Sequence, residues 1–358
     1  MTARQGPLPT AGPMRARPPR LLLLAGVSAC LLAAANPARA DIPLNYLVSA
    51  GARANHILPL TWGVSIISVL VVVILSGLLL WAILRRRGGP PTRTFDNTPA
   101  SRGGDGLRWI SWGVGLSSIV LFATVIWTIR TVARVMEPDE EPAITLEVIA
   151  HQWWWEVRYP GAMPSQGFTT ANEIHIPVGQ PVRIRLKGAD VIHSFWVPLL
   201  AGKTDVIPGT VNTTWMTADA PGTYRGQCTE YCGVEHANMG FLVIAQPRPE
   251  FDAWRRAQAS SAAPPARPRA REGEAHFKAR CGACHSVRGT GAGGRVGPDL
   301  THLMSRQTLA AATIPNTPDT LARWIIHAQD MKPRSLMPNI RMPEDEHAAI
   351  TAYLQTLE

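Results

Sequence analysis

The first part of the chain contains three long apolar runs, and the first of them has the features of an export signal. Residues 21–35 follow an arginine-rich segment and end shortly before the small residues at 38–40. The run is too short to cross a bilayer comfortably, whereas a basic segment, an apolar run and a small-residue cleavage motif are typical of a secretory signal peptide. We predict a signal peptide over residues 1–40, with a lipoprotein acylated at Cys30 as the second interpretation.

The other two apolar runs, residues 57–84 and 107–135, are each long enough to span a membrane as a helix. The loop between them is rich in arginine, which favours the cytoplasmic side. Two buried core helices are the alternative, but neither run has an ionisable residue at its centre. Residues 41–138 are therefore expected to form a two-helix hairpin in a bacterial inner membrane. Both soluble parts would then lie on the periplasmic or outer face.

Between residues 142 and 247 the pattern changes to short runs in which apolar and polar positions alternate. Residues 144–148 and 182–187 follow the two-residue period of half-buried strands, and glycine and proline pairs between such runs mark turns. We expect an all-β sandwich or barrel with its ligands on loops at one end. The adjacent tryptophans at 153–155 are expected on one strand, where they would point to alternating faces.

Residues 271–358 carry a motif for a covalent cofactor. Cys281 and Cys284 are followed directly by His285. This spacing is typical of c-type haem attachment, in which two thiols add to the haem vinyl groups and the histidine binds iron. A thioredoxin-like pair is the alternative, but no strand–helix unit surrounds the motif. The candidates for the second axial ligand are Met331, Met337 and Met342.

Composition adds three points to this picture. The formal net charge is +9, but the basic residues are scattered, which fits a membrane protein better than a nucleic-acid-binding protein. Residues 248–270 are rich in alanine, proline, serine and arginine, which predicts a semi-rigid linker. Of five cysteines, Cys30 lies in the export segment and the others form two close pairs, so metal and cofactor chemistry is indicated rather than a disulfide framework.

The remaining cysteine pair lies among other metal-binding side chains. Cys228, Cys232, His236 and Met239 fall within twelve residues, and His193 lies on an earlier segment. Thiolate, thioether and imidazole together favour copper over calcium or magnesium. A structural zinc site would leave the methionine unused, and a disulfide would leave both histidines unexplained.

The pattern Cys-x-Glu-x-Cys-x-x-x-His-x-x-Met resembles the binuclear CuA site of cytochrome c oxidase subunit II. The resemblance implies that both thiolates bridge two copper ions. It also implies that the Glu230 side chain binds magnesium at the border with the catalytic subunit. The implied copper ligands are His193, Cys228, the backbone carbonyl of Glu230, Cys232, His236 and Met239.

Other segments are similar to the same family and to class I cytochromes c. The run of tryptophans that follows His151 implies that Trp153 is the residue through which electrons enter the copper domain. Residues 202–209 resemble the loop near the catalytic subunit, although Thr210 stands where the family usually has arginine. The segment around Met337 resembles the Met-Pro loop of class I cytochromes c, and Pro298 matches the proline whose carbonyl accepts the haem histidine N–H.

Together these segments resemble subunit II of caa-type cytochrome c oxidases. The implied architecture is a two-helix anchor, an all-β cupredoxin-like sandwich over residues 142–247 and an all-α class I cytochrome c domain over residues 271–358. The implied function is to pass electrons from haem c through CuA to the haem and CuB of subunit I, where O2 is reduced to water with proton pumping. Further implied partners are subunit III, membrane lipid, and a quinol-cytochrome c reductase or soluble cytochrome c as donor.

Three other functions are weighed against this one. A quinol oxidase subunit II would not need the copper ligands. A dicopper subunit that delivers electrons to a nitric oxide or nitrous oxide reductase could use the same site. A membrane-anchored copper carrier would load and release one copper ion, so metal content separates it from a bridged pair.

Overall fold

The computed structural model describes residues 44–85, 105–161, 163 and 166–358. The predicted signal peptide, including Cys30, and most of the arginine-rich loop lie outside these residues.

Two long apolar helices open the described part of the chain. Helix α1 (Ala52–Leu84) and helix α2 (Asp105–Met136) each extend slightly beyond the predicted spans. Both are long and apolar enough to cross a membrane. They approach closely at Gly63, where an added Cβ would lie 2.4 Å from the Trp127 ring. Most of their large apolar side chains are exposed in the isolated chain, which is expected of a surface that contacts lipid or another membrane subunit.

A β-sandwich follows the anchor. Its strands are β1 (Ile144–His151), β2 (Trp154–Tyr159), β3 (Phe168–Ala171), β4 (Glu173–Pro177), β5 (Val182–Gly188), β6 (His193–Trp196), β7 (Thr204–Val206), β8 (Asn212–Met216), β9 (Gly222–Cys228) and β10 (Gly240–Gln246). They form two five-stranded sheets, ordered β3-β2-β1-β5-β8 and β4-β10-β9-β6-β7. The strands predicted at 144–148 and 182–187 are confirmed as β1 and β5. Val182, Ile184 and Leu186 are fully buried on the inner face of β5, which is why the polar residues between them alternate outward.

The anchor and the sandwich are joined by a hydrogen-bonded junction. The Arg53 guanidinium at the start of α1 donates to the Val135 carbonyl at the end of α2 and to the Thr214 hydroxyl on β8. The Trp215 indole donates to the same Val135 carbonyl at 2.9 Å. This junction links the start of α1 and the end of α2 to β8, an edge strand of the sandwich. The two helices are therefore attached to the sheet that contains β8.

The expectation that residues 153–155 share one strand is wrong. Strand β1 ends at His151 and β2 begins at Trp154, and these two residues pair across a two-residue hairpin turn. Trp153 therefore lies in the turn, while Trp155 is fully buried in the sandwich core. Trp154 stacks on His151, with ring centroids 4.4 Å apart.

The prediction of a semi-rigid linker is wrong for the first half of residues 248–270. This half folds as helix α3 (Arg248–Ala259). Phe251 is 1% exposed, and Trp254 stacks on His175 with ring centroids 3.8 Å apart. These two aromatic side chains lie one helical turn apart and dock α3 on the sandwich. The alanine-rich and arginine-rich composition hides this short apolar face, and only residues 260–267 connect the two domains without a helix.

The last domain is helical with one small sheet. It contains α4 (Pro268–Arg280), β11 (Thr308–Leu309), β12 (Ile314–Pro315), α5 (Pro318–Ile326), α6 (Ala328–Met331) and α7 (Glu344–Leu354). Helices α4 and α7 cross at Gly273, where an added Cβ would lie 1.9 Å from the Ala349 carbonyl oxygen. Phe277 of α4 packs against Tyr353 of α7, with ring centroids 5.5 Å apart.

Candidate metal centre and haem cavity

The loop that joins β9 to β10 carries most of the predicted metal ligands. Cys228 is the last residue of β9, and its amide donates to the Met239 carbonyl at 3.0 Å, which closes the base of the loop. Gly233 has a φ of 118°, and an added Cβ there would lie 2.9 Å from the Trp153 ring. Glycine therefore lets the loop fold back tightly on the β1–β2 turn.

The two thiols of this loop are free and buried. Their sulfurs are 3.8 Å apart, well beyond the disulfide bond length of about 2.05 Å. A metal–thiolate bond is about 2.3 Å, so sulfurs separated by less than about 4.6 Å can contact the same ion. The geometry of Cys228 and Cys232 therefore fits a shared metal site.

A histidine lies on each side of the sulfur pair. His193 Nδ1 is 3.8 Å from the Cys228 sulfur, and His236 Nδ1 is 3.5 Å from the Cys232 sulfur. The ligand atoms of His193 and both cysteines all lie within 4.8 Å of one another. The chain thus brings imidazole from β6 and from the loop to opposite sulfurs.

Two weaker donors complete the predicted set. The Met239 sulfur is 3.7 Å from the Cys232 sulfur, and the Glu230 carbonyl oxygen is 3.3 Å from the Cys228 sulfur. The Glu230 side chain is exposed, which leaves its carboxylate free for a contact outside this chain. Thr210 is likewise exposed, in the turn after β7. All six residues predicted as copper ligands are near one another, and their softness fits copper.

The contact between the two sulfurs shifts their pKa values in opposite directions. The hydrogen bond with Cys232 lowers the pKa of Cys228, although burial acts against it. The same contact raises the pKa of Cys232 well above the ordinary thiol value. Cys228 is therefore the more readily ionised of the two thiols, and metal binding would release the protons that remain, because both ligands must be thiolates.

Asp190 supports the site but was missed in the sequence. Its carboxylate contacts His193 Nε2 at 2.8 Å and accepts from the Gln152 and Val191 amides, both at 2.6 Å. Burial opposes ionisation of Asp190, but these hydrogen bonds lower its pKa. Burial likewise opposes the charged form of His193, and Asp190 and Cys228 raise its pKa. The contact fixes the imidazole with Nδ1 towards Cys228, as outer partners of metal-binding histidines do.

The haem-attachment motif lines a cavity in the last domain. Cys281, Cys284 and His285 contribute to its wall, and the amides of Cys284 and His285 both donate to the Cys281 carbonyl in one tight turn. His285 Nδ1 is 2.9 Å from the Pro298 carbonyl, as predicted, so Nε2 is left for iron. Burial lowers the pKa of His285, which favours the neutral imidazole that binds iron. An added Cβ at Gly297 would lie 2.5 Å from this ring.

The three candidate methionines occupy different places. Met337 lines the same cavity as His285, whereas Met342 packs against the hydrophobic core of the domain. Met331 is not among the residues that line the cavity. Met337 is therefore placed to be the second axial ligand. The donor set fits a covalently attached haem.

Trp153 lies between the two candidate sites. Its indole donates to the Cys232 carbonyl at 2.9 Å, and the residue also lines the haem cavity. It is 9% exposed. One aromatic residue thus contacts both the metal loop and the cavity.

Comparison with known proteins assigns the two soluble domains to described families. Residues 163–246 match the family described as Cytochrome C oxidase subunit II, periplasmic domain, and residues 270–358 match the family described as Cytochrome c. Cytochrome c oxidase subunit 2 of Alkalihalophilus pseudofirmus is 34% identical over 295 residues, 80% of this chain and 82% of that protein. The chain belongs to the cytochrome c oxidase subunit 2 family. The Bacillus sp. PS3 member is 30% identical over 267 residues, 70% of this chain and 74% of that protein.

Family membership confirms the predicted resemblance and fold class. The oxidase subunit II domain implies a copper centre, and the cytochrome c domain implies haem. Both fit a membrane-anchored subunit through which electrons enter an oxidase. The periplasmic domain of subunit II from Bradyrhizobium japonicum is a related solved structure, 31% identical, with 33% of this chain and 95% of that chain covered and a TM-score of 0.31.

Proposed function

We propose that this chain is the subunit through which electrons enter a proton-pumping cytochrome c oxidase. It would pass them from haem c through a CuA centre to the haem-copper centre of subunit I, which reduces O2 to water. The observation that carries the proposal is the pair of buried sulfurs 3.8 Å apart, with Trp153 between their loop and the haem cavity.

The side chains around each site would hold the two cofactors. Cys228 and Cys232, together with His193 and His236, would hold two copper ions. Cys281 and Cys284 would attach haem c. When bound, these groups supply one-electron exchange with little structural change.

The remaining residues control solvent and geometry. Burial of the sulfur pair excludes water, and the β-sandwich holds its loop on a rigid scaffold. Met239 and the Glu230 carbonyl would be weak copper ligands. His285 and Met337 would be the iron ligands, with the Pro298 carbonyl orienting the imidazole.

Trp153 is proposed as the residue through which electrons enter the copper domain. Its indole N–H donates to the Cys232 carbonyl, and the residue lines the haem cavity. The exposed Glu230 carboxylate would bind magnesium where this subunit meets subunit I. Subunit III, membrane lipid and a donor such as a quinol-cytochrome c reductase or soluble cytochrome c complete the proposed assembly. Both soluble domains would lie on the periplasmic or outer face of the inner membrane.

Metal analysis of the purified chain tests the proposal. We expect two copper ions and one covalent haem per chain, with a mixed-valence spectrum. Cys228→Ser should abolish that spectrum and stop oxygen uptake by the purified complex driven by reduced cytochrome c, because a bridging thiolate is lost. Tyr231→Phe, a change at an exposed side chain of the same loop, should preserve both.

Two results would overturn the proposal. One copper ion per chain would indicate a carrier rather than a bridged pair. Uptake of nitric or nitrous oxide, without oxygen uptake, would assign the chain to a different reductase.

A further inference from the structure

A buried lysine lies where the haem domain meets the β-sandwich. Lys332 follows helix α6 and is only 3% exposed. Its ammonium donates to the Trp153 and Asn238 carbonyls, both at 2.8 Å, and to the Ala310 carbonyl at 3.0 Å. An ammonium has three donors, so all of them are used. A buried lysine is rare unless it is paired in this way.

The Ala310 carbonyl belongs to an unusual turn that faces the sandwich. Ala310, Ala311 and Ala312 have φ values of 52°, 62° and 57°, a left-handed conformation that costs free energy for residues other than glycine. Their three successive carbonyls accept from different donors. The Gly240 amide donates to Ala311 at 3.1 Å, and the Arg225 guanidinium donates to Ala312 at 2.9 Å.

We call these three alanines the docking turn. Two of its donors come from β9 and β10, the strands that flank the metal loop. The Ala310 carbonyl accepts from Lys332 and also from the Thr313 hydroxyl at 2.7 Å. The hydrogen bonds to the sandwich hold the turn in a conformation that alanine would otherwise avoid. The docking turn and Lys332 thus form one connected contact between the domains.

A second contact lies on another strand of the sandwich. The buried carboxylate of Glu173 on β4 accepts from the Gln307 and Thr308 amides at 2.7 and 3.0 Å. Strand β4 pairs with β10, and residues 307–308 lie just before the docking turn, so this contact extends the same interface.

Lys332 acts on the part of the interface closest to the proposed electron path. It binds the backbone carbonyl of Trp153, whose indole binds the carbonyl of Cys232. It also binds the carbonyl of Asn238, the residue before Met239. One side chain of the haem domain therefore hydrogen-bonds to both the β1–β2 turn and the metal loop, which lie beside the sulfur pair.

We propose that Lys332 is a positioning residue. Its three hydrogen bonds, here called the Lys332 contact, hold the haem domain over Trp153, so that the haem cavity and the metal loop form one rigid unit. Electron transfer between the domains then needs no preceding docking step. The part of this inference that concerns electron transfer rests on the proposed function, whereas the Lys332 contact rests on the hydrogen bonds alone.

Hydrogen–deuterium exchange of the full chain tests whether the Lys332 contact holds the two domains together. Lys332→Met preserves the length of the side chain but removes all three donors. We expect exchange at residues 152–155 and 310–313 to become roughly tenfold faster or more, because the Trp153 carbonyl loses its lysine donor and the Asn238 and Ala310 carbonyls are left with the Thr313 hydroxyl. Lys278→Met, at a more exposed lysine of the same domain paired with Glu274, should leave exchange at these residues unchanged.

A second variant covers the case in which Lys332→Met does not fold. Arg225→Met removes only the donor to the Ala312 carbonyl, so we expect faster exchange at residues 310–313 with little change at 152–155. Native protection from exchange at the docking turn in folded Lys332→Met would overturn the proposed contact. If that variant does not fold, native protection there in Arg225→Met would overturn it.

Electron transfer provides a readout that general destabilisation would not change in the same way. After rapid reduction of the haem, the rate of copper reduction in the native chain should not depend on viscosity when sucrose is added. In Lys332→Met the rate should fall as viscosity rises, because a released domain must dock again first. A viscosity-independent rate in the variant would overturn the positioning role. Absence of haem-to-copper electron transfer in the native chain would instead refute the proposed function. Hydrogen exchange would still test the Lys332 contact.

Discussion

At the scale of single residues, Asp190 shows how a side chain outside the ligand set controls the site. It binds His193 Nε2 and two backbone amides at once, so its position is fixed before any metal arrives. We expect Asp190→Ala to weaken copper binding by about 10- to 100-fold, because the imidazole loses its orienting partner. Competition with a copper chelator measures this change.

The matched control is Asp205→Ala, at an exposed aspartate on β7 of the same domain. It should bind copper as the native chain does. Equal copper affinity in the Asp190 and Asp205 variants would mean that the scaffold alone orients His193.

At the scale of elements, helix α3 makes the stability of the sandwich depend on pH. Trp254 from α3 covers His175 of β4, and the buried imidazole is hydrogen-bonded to Gln246. Burial lowers the pKa of His175 to about 4. The folded state therefore favours the neutral imidazole, whereas the unfolded chain protonates near its ordinary value of about 6.5.

The sign of the effect follows from this difference. The contribution of His175 to the free energy of unfolding is fully present above about pH 6.5 and is lost as the pH falls towards 4, with a total change of about 3 kcal/mol. Urea unfolding of the native chain and of His175→Gln, at pH 7 and pH 4.5, measures this contribution. We expect the native chain to lose more stability than the variant. Equal losses would show that His175 is not held neutral by the fold.

The sequence predicted elements whose signals are local. Alternating residues in β1 and β5, and the spacing of Cys228, Cys232 and His236, were readable because each pattern lies within one short segment. Helix α3 was not predicted because only Phe251 and Trp254 mark its apolar face within a linker-like composition. The parts played by Asp190 and Lys332 depend on partners in other segments, up to 179 positions away, and no local pattern records such contacts.

At the scale of the whole molecule, the docked haem domain restricts how electrons can arrive. Trp153 is 9% exposed and its backbone carbonyl is bound by Lys332, so a soluble donor has little access to it. The proposed path to the metal loop therefore begins at the haem cavity. A change that affects only the haem should then slow copper reduction as well.

Met337→Leu provides such a change. Methionine ligation raises the reduction potential of a haem iron, so its loss makes the haem a poorer electron acceptor while Cys281 and Cys284 keep it attached. We expect copper reduction by soluble cytochrome c to slow by about tenfold or more, in step with haem reduction. Met331→Leu, at a methionine that does not line the cavity, should leave both rates unchanged. Rapid copper reduction despite slow haem reduction in Met337→Leu would mean that donors reach the copper domain directly, and that the docked haem domain does not control access to Trp153.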